Sequence, residues 1–175
     1  PGAATVLRHH YPATTAKPTI ASPTNHSYVN MAGADKPGAT ILNQLLTMNA
    51  DRYTITDEQN VPTGEIRAVA GTPFDFRKAT PIGARIDDPN PMLVRAKGYD
   101  HNFVINGAPG TLRLAARLQD PVSGRTLEEW TTQAGVQIYT ANYPPSPAAK
   151  AKGYQVHGAV ALEAEAFPNS PNIPG

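Results

Sequence analysis

The sequence predicts an all-β protein, and within that class an antiparallel β-sandwich. Its 175 residues include 18 prolines and 14 glycines. No stretch longer than about ten residues keeps helical apolar spacing without one of these breakers. Three prolines fall at 143–149, where we expect an exposed loop. A helical bundle is therefore excluded, and 1–175 are expected to form a single domain with long loops.

Alternation of apolar and other side chains marks the clearest strand, at 112–118. Its apolar members are Leu112, Leu114, Ala116 and Leu118, with Arg113, Ala115 and Arg117 between them. This period of two is typical of a strand with one buried face. The turn residues at 120–124 predict a hairpin whose second strand covers 125–132. Segments rich in β-branched or aromatic residues predict further strands at 137–140 and 156–162.

Composition excludes several classes of function. Fifteen Lys and Arg against 14 Asp and Glu leave the chain nearly neutral, without the basic run that nucleic acid binding requires. Its apolar runs are far shorter than the ~20 residues of a membrane-spanning helix. Because the chain has no cysteine, disulfides, thiolate catalysis and cysteine-ligated zinc are also excluded, and the cellular compartment is left open.

The sequence has no phosphate-binding loop, two-histidine zinc helix or nucleophile elbow. Histidines are therefore the first candidates for proton transfer, because the unperturbed pKa of histidine is the side-chain pKa nearest neutral pH. They are His9, His10, His26, His101 and His157. His9 and His10 are expected in a surface strand, where neighbours face opposite sides, so no metal site is predicted. His26 lies in the polar cluster 23–28, where it either positions a hydrogen bond for a ligand or satisfies turn carbonyls.

Two carboxyl groups lie at the ends of predicted strands. Asp100 stands before the apolar residues 103–105, at the mouth of a strand, and its plainest interpretation is a solvated turn residue. Glu163 follows the small apolar run 159–162. Burial at the end of such a strand is expected to raise the pKa of Glu163, which suits a general base near neutral pH.

Six segments, in this order along the chain, resemble the aldose 1-epimerase (galactose mutarotase) family. They are Asn-His-Ser-Tyr-Val-Asn at 25–30, Val-Pro-Thr-Gly-Glu-Ile at 61–66, Thr-Pro-Phe-Asp-Phe-Arg at 72–77, Gly-Tyr-Asp-His at 98–101, Gly-Val-Gln-Ile-Tyr-Thr at 135–140, and Leu-Glu at 162–163 with Phe-Pro-Asn-Ser-Pro-Asn at 167–172. The resemblance implies the galactose mutarotase-like fold, a large antiparallel sandwich with its sugar cleft on one curved sheet face.

The resemblance also implies an isomerase that interconverts the α and β anomers of a free hexose such as glucose or galactose, with no cofactor and no metal. His26 matches the general acid that protonates the ring oxygen, and Glu163 matches the base that takes the anomeric proton. Asp100 and Gln137 match residues that bind the sugar. We expect His26 and Glu163 to face each other across a gap the size of a sugar.

The chain departs from the family pattern in extent and at one cleft position. The family's N-terminal portion and last strands have no counterpart, so the chain resembles the C-terminal half of its relatives and forms a partial domain. We expect an incomplete cleft, and a second chain or segment that supplies the missing half. Glu165 stands where a glutamine is common, and this second acid is expected to raise the pKa of Glu163 further.

Two other functions are compatible with these residues. One is a non-catalytic carbohydrate-binding module of the same fold, because a fold does not guarantee chemistry. The other is a glycoside hydrolase that uses Asp100 and Glu163 as paired carboxylates. A hydrolase has no role for His26, and the retained set of four candidate residues argues against a decayed copy.

Overall fold

The computed structural model describes residues 5–33 and 36–173, so 1–4, 34–35 and 174–175 of the predicted domain lie outside the described residues. The described part forms ten strands, two short helices and two 3-10 turns. The strands are β1 (Tyr28–Val29), β2 (Leu45–Met48), β3 (Arg52–Thr56), β4 (Pro62–Ala68), β5 (Thr80–Pro81), β6 (Asp100–Val104), β7 (Arg113–Gln119), β8 (Thr126–Thr131), β9 (Gly135–Tyr139) and β10 (Val160–Glu165). The helices are α1 (Pro91–Ala96) and α2 (Pro147–Ala151), and the 3-10 turns are Ile82–Ala84 and Ser170–Asn172.

The strands form two antiparallel sheets. One has six strands in the order β1-β10-β9-β6-β3-β4, and the other has four in the order β5-β2-β7-β8. The two sheets share one hydrophobic core, so they form the sandwich that the sequence predicts, and the expected fold class is confirmed. In the part of the chain described, no helix is long and apolar enough to cross a membrane.

Alternation along the six-stranded sheet separates an apolar face from a polar one. On β10, Val160 and Leu162 belong to the core, and Phe103 of β6 and Ile138 of β9 join them there. Because successive strand residues face opposite sides, Glu163 and its neighbours across the sheet point outward. Core packing on one face therefore fixes the position of the strands that carry the polar candidate residues on the other face.

The predicted hairpin is present, with one error in its alternation. Strands β7 and β8 pair as expected, but their register shifts between Leu114 and Ala116. This irregularity leaves both Ala115 and Ala116 buried, as a bulge does when it inserts a residue into one strand. Leu112 lies before β7 and is 64% exposed, so its expected place on the buried face is wrong.

Three other segments differ from the structure that the sequence predicts. The strand predicted at 156–162 begins only at Val160, because a turn that contains His157 precedes it. The loop predicted at 143–149 ends in α2, which begins after Ser146, whose hydroxyl accepts a hydrogen bond from the Ala149 amide. His9 and His10 lie in an exposed segment outside the strands.

A buried amide joins α1 to the strands that carry the polar face. Asn142 Nδ2 donates to the carbonyls of Ala96 and Tyr99 at 2.8 and 3.0 Å, and Asn142 Oδ1 accepts from Thr140 Oγ1 at 2.6 Å. Gly98 packs directly against this group, since a Cβ there would lie 2.5 Å from Asn142 Oδ1. These hydrogen bonds and contacts therefore fix the start of β6, and with it the position of Asp100.

Asn142→Ala should lower the free energy of unfolding by about 2–3 kcal/mol, because the Ala96 carbonyl loses its side-chain donor, the Tyr99 carbonyl loses one of three donors, and the buried Thr140 hydroxyl loses an acceptor. Urea unfolding measures this change. Asn43→Ala is the matched control, since Asn43 is exposed and its loss should cost less than about 0.5 kcal/mol. Equal effects of the two substitutions would contradict the anchoring role.

Candidate active site

His26 and Glu163 meet on the outer face of the six-stranded sheet. His26 Nε2 lies 3.2 Å from Glu163 Oε1, and the side chains are 47% and 10% exposed. The pairing of β1 with β10 explains this contact. Tyr28 stands opposite Ala161, so in an antiparallel register the residue two before Tyr28 stands opposite the residue two after Ala161. Those residues are His26 and Glu163.

The expected sugar-sized gap between His26 and Glu163 is absent, because the two side chains touch. Glu163 also lies inside β10 rather than at its end. Direct contact fits an acid and a base that act on neighbouring atoms of one ligand.

Asp100 and Gln137 lie on the strands next to Glu163. Gln137 is the cross-strand partner of Glu163, and Gln137 Nε2 donates to Asp100 Oδ1 at 2.7 Å. These side chains line one open cleft of about 360 Å³, so the four residues proposed from sequence come together. The cleft is lined by His26, Asp100, Gln137, Tyr139, Tyr143, Glu163, Glu165 and Pro168.

Tyrosines form a wall of the cleft that sequence reasoning missed. The His26 ring lies 5.0 Å from Tyr28 and 6.1 Å from Tyr139, measured between ring centroids. Tyr143 lines the cleft as well, and Lys97 Nζ lies 5.1 Å from the centre of its ring. Tyr139 could have been found, since it follows Gln137 by two residues on one strand and therefore shares its face.

Burial sets the acidity of the cleft. It raises the pKa of Glu163, and Asp100 adds to this while His26 opposes it. Burial also raises the pKa of Asp100, against the hydrogen bond from Gln137. The rise in the pKa of Glu163 that we expect from burial is present, but the expected further rise from Glu165 is absent. Instead, burial and the charge of Glu163 raise the pKa of Glu165 to about 7.

The other histidines lie outside the cleft. His101 is buried against Phe74, with ring centroids 4.6 Å apart, and burial lowers its pKa to about 3, so it is a neutral core residue. His157 Nδ1 lies 2.9 Å from the Thr140 carbonyl oxygen. Among residues 5–33 and 36–173, no three acidic or histidine side chains are grouped to hold a metal ion.

The fold and the site together define an antiparallel β-sandwich with an imidazole–carboxyl pair in an open cleft on one sheet face. The sequence profile of the aldose 1-epimerase family matches residues 2–175, and the chain belongs to this family. It is 37% identical to human galactose mutarotase over 167 residues, which are 94% of this chain and 46% of that protein.

More distant relatives agree with this assignment. Aldose 1-epimerase of Haemophilus influenzae is 35% identical over 90% of this chain and 45% of its own length. The crystal structure of a galactose 1-epimerase from Lactobacillus acidophilus aligns with a TM-score of 0.71 at 28% identity, over 84% of this chain and 40% of that one. The chain thus spans about half the length of the curated relatives that it matches. That it is the C-terminal half stays a prediction.

Glu129 is a buried acid that the sequence did not reveal. It shares the inward face of β8 with Leu127, which packs against the core. Its Oε2 has no hydrogen-bond partner among the residues that the structure describes. Burial and the charge of Glu163 raise its pKa to about 7, and a hydrogen bond from the Ala164 amide opposes this. The inter-sheet space behind β10 therefore contains a carboxyl that is neutral in mild acid.

Glu129→Gln should stabilise the protein at about pH 8.5 and have little effect at about pH 4.5. The folded-state pKa of about 7 exceeds the usual 4.5, so the stability of the acid form is complete below about 4.5 and is lost as pH rises through 7. Glutamine imitates the neutral acid, and we expect a gain of about 1–2 kcal/mol at the higher pH. Urea unfolding at both pH values measures it. The exposed Glu128→Gln is the control, and an equal pH response in the two variants would refute the prediction.

Proposed function

We propose that this chain carries the acid–base centre of an aldose 1-epimerase, an isomerase that interconverts the α and β anomers of a free hexose such as glucose or galactose. The observation that carries the proposal is the His26–Glu163 contact inside a cleft. The similarity to human galactose mutarotase supports a hexose substrate. Asp100 and Gln137 are proposed to bind the sugar hydroxyls.

The geometry suits a reaction at a single carbon. The anomeric hydroxyl and the ring oxygen are both bonded to C1, so an acid and a base that serve them must lie close together. His26 and Glu163 meet this requirement, since their side chains touch and open into the same cleft. A sugar that enters would replace their mutual contact with one bond to each oxygen.

The proposed reaction conserves protons and electrons. The Glu163 carboxylate takes the proton of the anomeric hydroxyl, and the electron pair of that O–H bond forms the second bond of the C1 carbonyl. The bond from C1 to the ring oxygen breaks, and its electron pair stays on the ring oxygen. An imidazolium at His26 protonates the released oxygen, which gives the open aldehyde. Rotation about the C1–C2 bond presents the other carbonyl face. Glu163 then returns its proton to the carbonyl oxygen while His26 recovers its proton, and the ring closes to the other anomer.

The raised pKa of Glu163 helps this base. A carboxylate is a weak acceptor for a hydroxyl proton. Burial raises the pKa of Glu163 toward neutral pH, which makes its carboxylate a stronger base. Gln137 donates its amide to Asp100, so the Asp100 carboxyl has a fixed direction and keeps acceptor sites for sugar hydroxyls. Orientation of the sugar is the role we assign to this pair.

We further propose that residues outside this chain, on a second chain or segment, complete the cleft of a partial domain. The chain covers 46% of the human relative. Strand β4 lies at an edge of the six-stranded sheet, and Thr63 to Ala68 are exposed on both faces. A strand this open at a sheet edge is suited to pairing or packing with further chain. Added sugar contacts would come from that part.

Glu163→Gln and His26→Asn should each reduce catalysed mutarotation about 10²–10⁴-fold, because each removes one proton-transfer group. Polarimetry on freshly dissolved α-D-glucose or α-D-galactose measures the rate. The control is His10→Asn, since His10 is exposed outside the cleft. Rates equal to wild type in either cleft variant would contradict the assignment.

The assay is run on this chain alone and on a protein that also contains the remaining half of the fold. We expect the completed protein to be more active, because its cleft holds the sugar on more sides. A chromogenic glycoside tested in parallel distinguishes the alternatives. Its cleavage without faster mutarotation would indicate a hydrolase, and sugar binding without either reaction would indicate a binding module.

A further inference from the structure

Glu165 faces the same cleft as the proposed base. It follows Glu163 by two residues on β10, so the two side chains share one face of the strand. Both line the cleft together with His26 and Asp100. The proposed reaction gives Glu165 no direct step, although its carboxyl lines the same cleft as the proposed base.

A buried amide holds Glu165. Asn102 of β6 is 1% exposed, and its Nδ2 donates to Glu165 Oε1 at 3.4 Å. Within 5–33 and 36–173, the buried Asn102 Oδ1 has no hydrogen-bond partner. The amide is confined by β9, because a Cβ on Gly135 would lie 2.5 Å from Asn102 Oδ1. An amide offers a donor to an ionised carboxyl and an acceptor to a neutral one, so Asn102 can serve Glu165 in both protonation states.

Charges of both signs surround Glu165. Glu163 lies on its own strand, Asp100 comes from β6, and His26 comes from the segment before β1. Burial and the charge of Glu163 raise the pKa of Glu165 to about 7, Asp100 adds to this, and Asn102 and His26 oppose it. Because Glu163 is the first of the pair to ionise, Glu165 gains its charge only near neutrality.

We propose that Glu165 is a positioning residue that couples to Glu163 and strengthens it as a base once Glu165 is ionised. The inference rests on the proposed mutarotase function. Accepting the anomeric proton removes the negative charge of Glu163, and a second negative charge nearby favours that neutralisation. The base is therefore stronger above neutral pH than a lone carboxylate in the same place.

The coupling can be measured without catalysis, by following the side-chain carboxyl carbons of glutamate in NMR titrations of this chain. Glu163→Gln should lower the midpoint of Glu165 by about one pH unit, because Glu165 ionises in the presence of the Glu163 charge. Glu165→Gln should leave the midpoint of Glu163 nearly unchanged, because Glu163 ionises while Glu165 is still neutral. Glu58→Gln, at an exposed turn position, is the control and should move neither. A Glu165 midpoint that is unchanged by Glu163→Gln overturns the proposal, whether or not the protein catalyses mutarotation.

The kinetic consequence has its own test in the active protein. The ratio of wild-type to Glu165→Gln kcat should rise with pH, from near one below about pH 6 to about threefold above about pH 8. A ratio that is constant with pH shows a structural role only and overturns the proposal. Coupled titrations in a protein without mutarotase activity would refute the proposed function, and with it the catalytic meaning of the coupling.

Discussion

The contact between His26 and Glu163 depends on a strand of only two residues. Tyr28 and Val29 pair with β10, and this register places His26 opposite Glu163. Side chains fasten the pairing on both sides, since Thr24 Oγ1 donates to the Ala164 carbonyl at 3.1 Å and Asn30 Nδ2 donates to that of Gly158 at 2.8 Å. The approach of the proposed acid to its base is thus set by backbone pairing and by polar anchors at its ends, and not by burial of the imidazole.

Strand β10 joins the core to the chemistry. Val160 and Leu162 fill the inter-sheet space, while Glu163 and Glu165 open into the cleft on the other face. Rigid packing on one side therefore fixes the carboxyls on the other. The same burial that steadies these carboxyls raises their pKa, so stability and base strength have a common origin. The cost is a cleft crowded with negative charge.

Sequence reasoning predicted the parts of this structure that short segments encode. The period of two and the turn at 120–124 identified the β7–β8 hairpin, and the motif resemblance picked His26 and Glu163, which meet in the cleft. Features created by tertiary contacts were missed. The bulge near Ala115 depends on pairing between strands, and the buried acid Glu129 depends on a neighbour more than 30 residues away along the chain. Neither leaves a local signal in the residue order.

We expect that a bound sugar separates His26 from Glu163 and forms a hydrogen bond with each of them. A crystal structure of the protein with bound galactose tests it most directly. We expect His26 Nε2 within about 2.6–3.2 Å of the ring oxygen and a Glu163 oxygen equally close to the anomeric hydroxyl. A sugar seated elsewhere in the cleft, with the His26–Glu163 contact still intact, would contradict it.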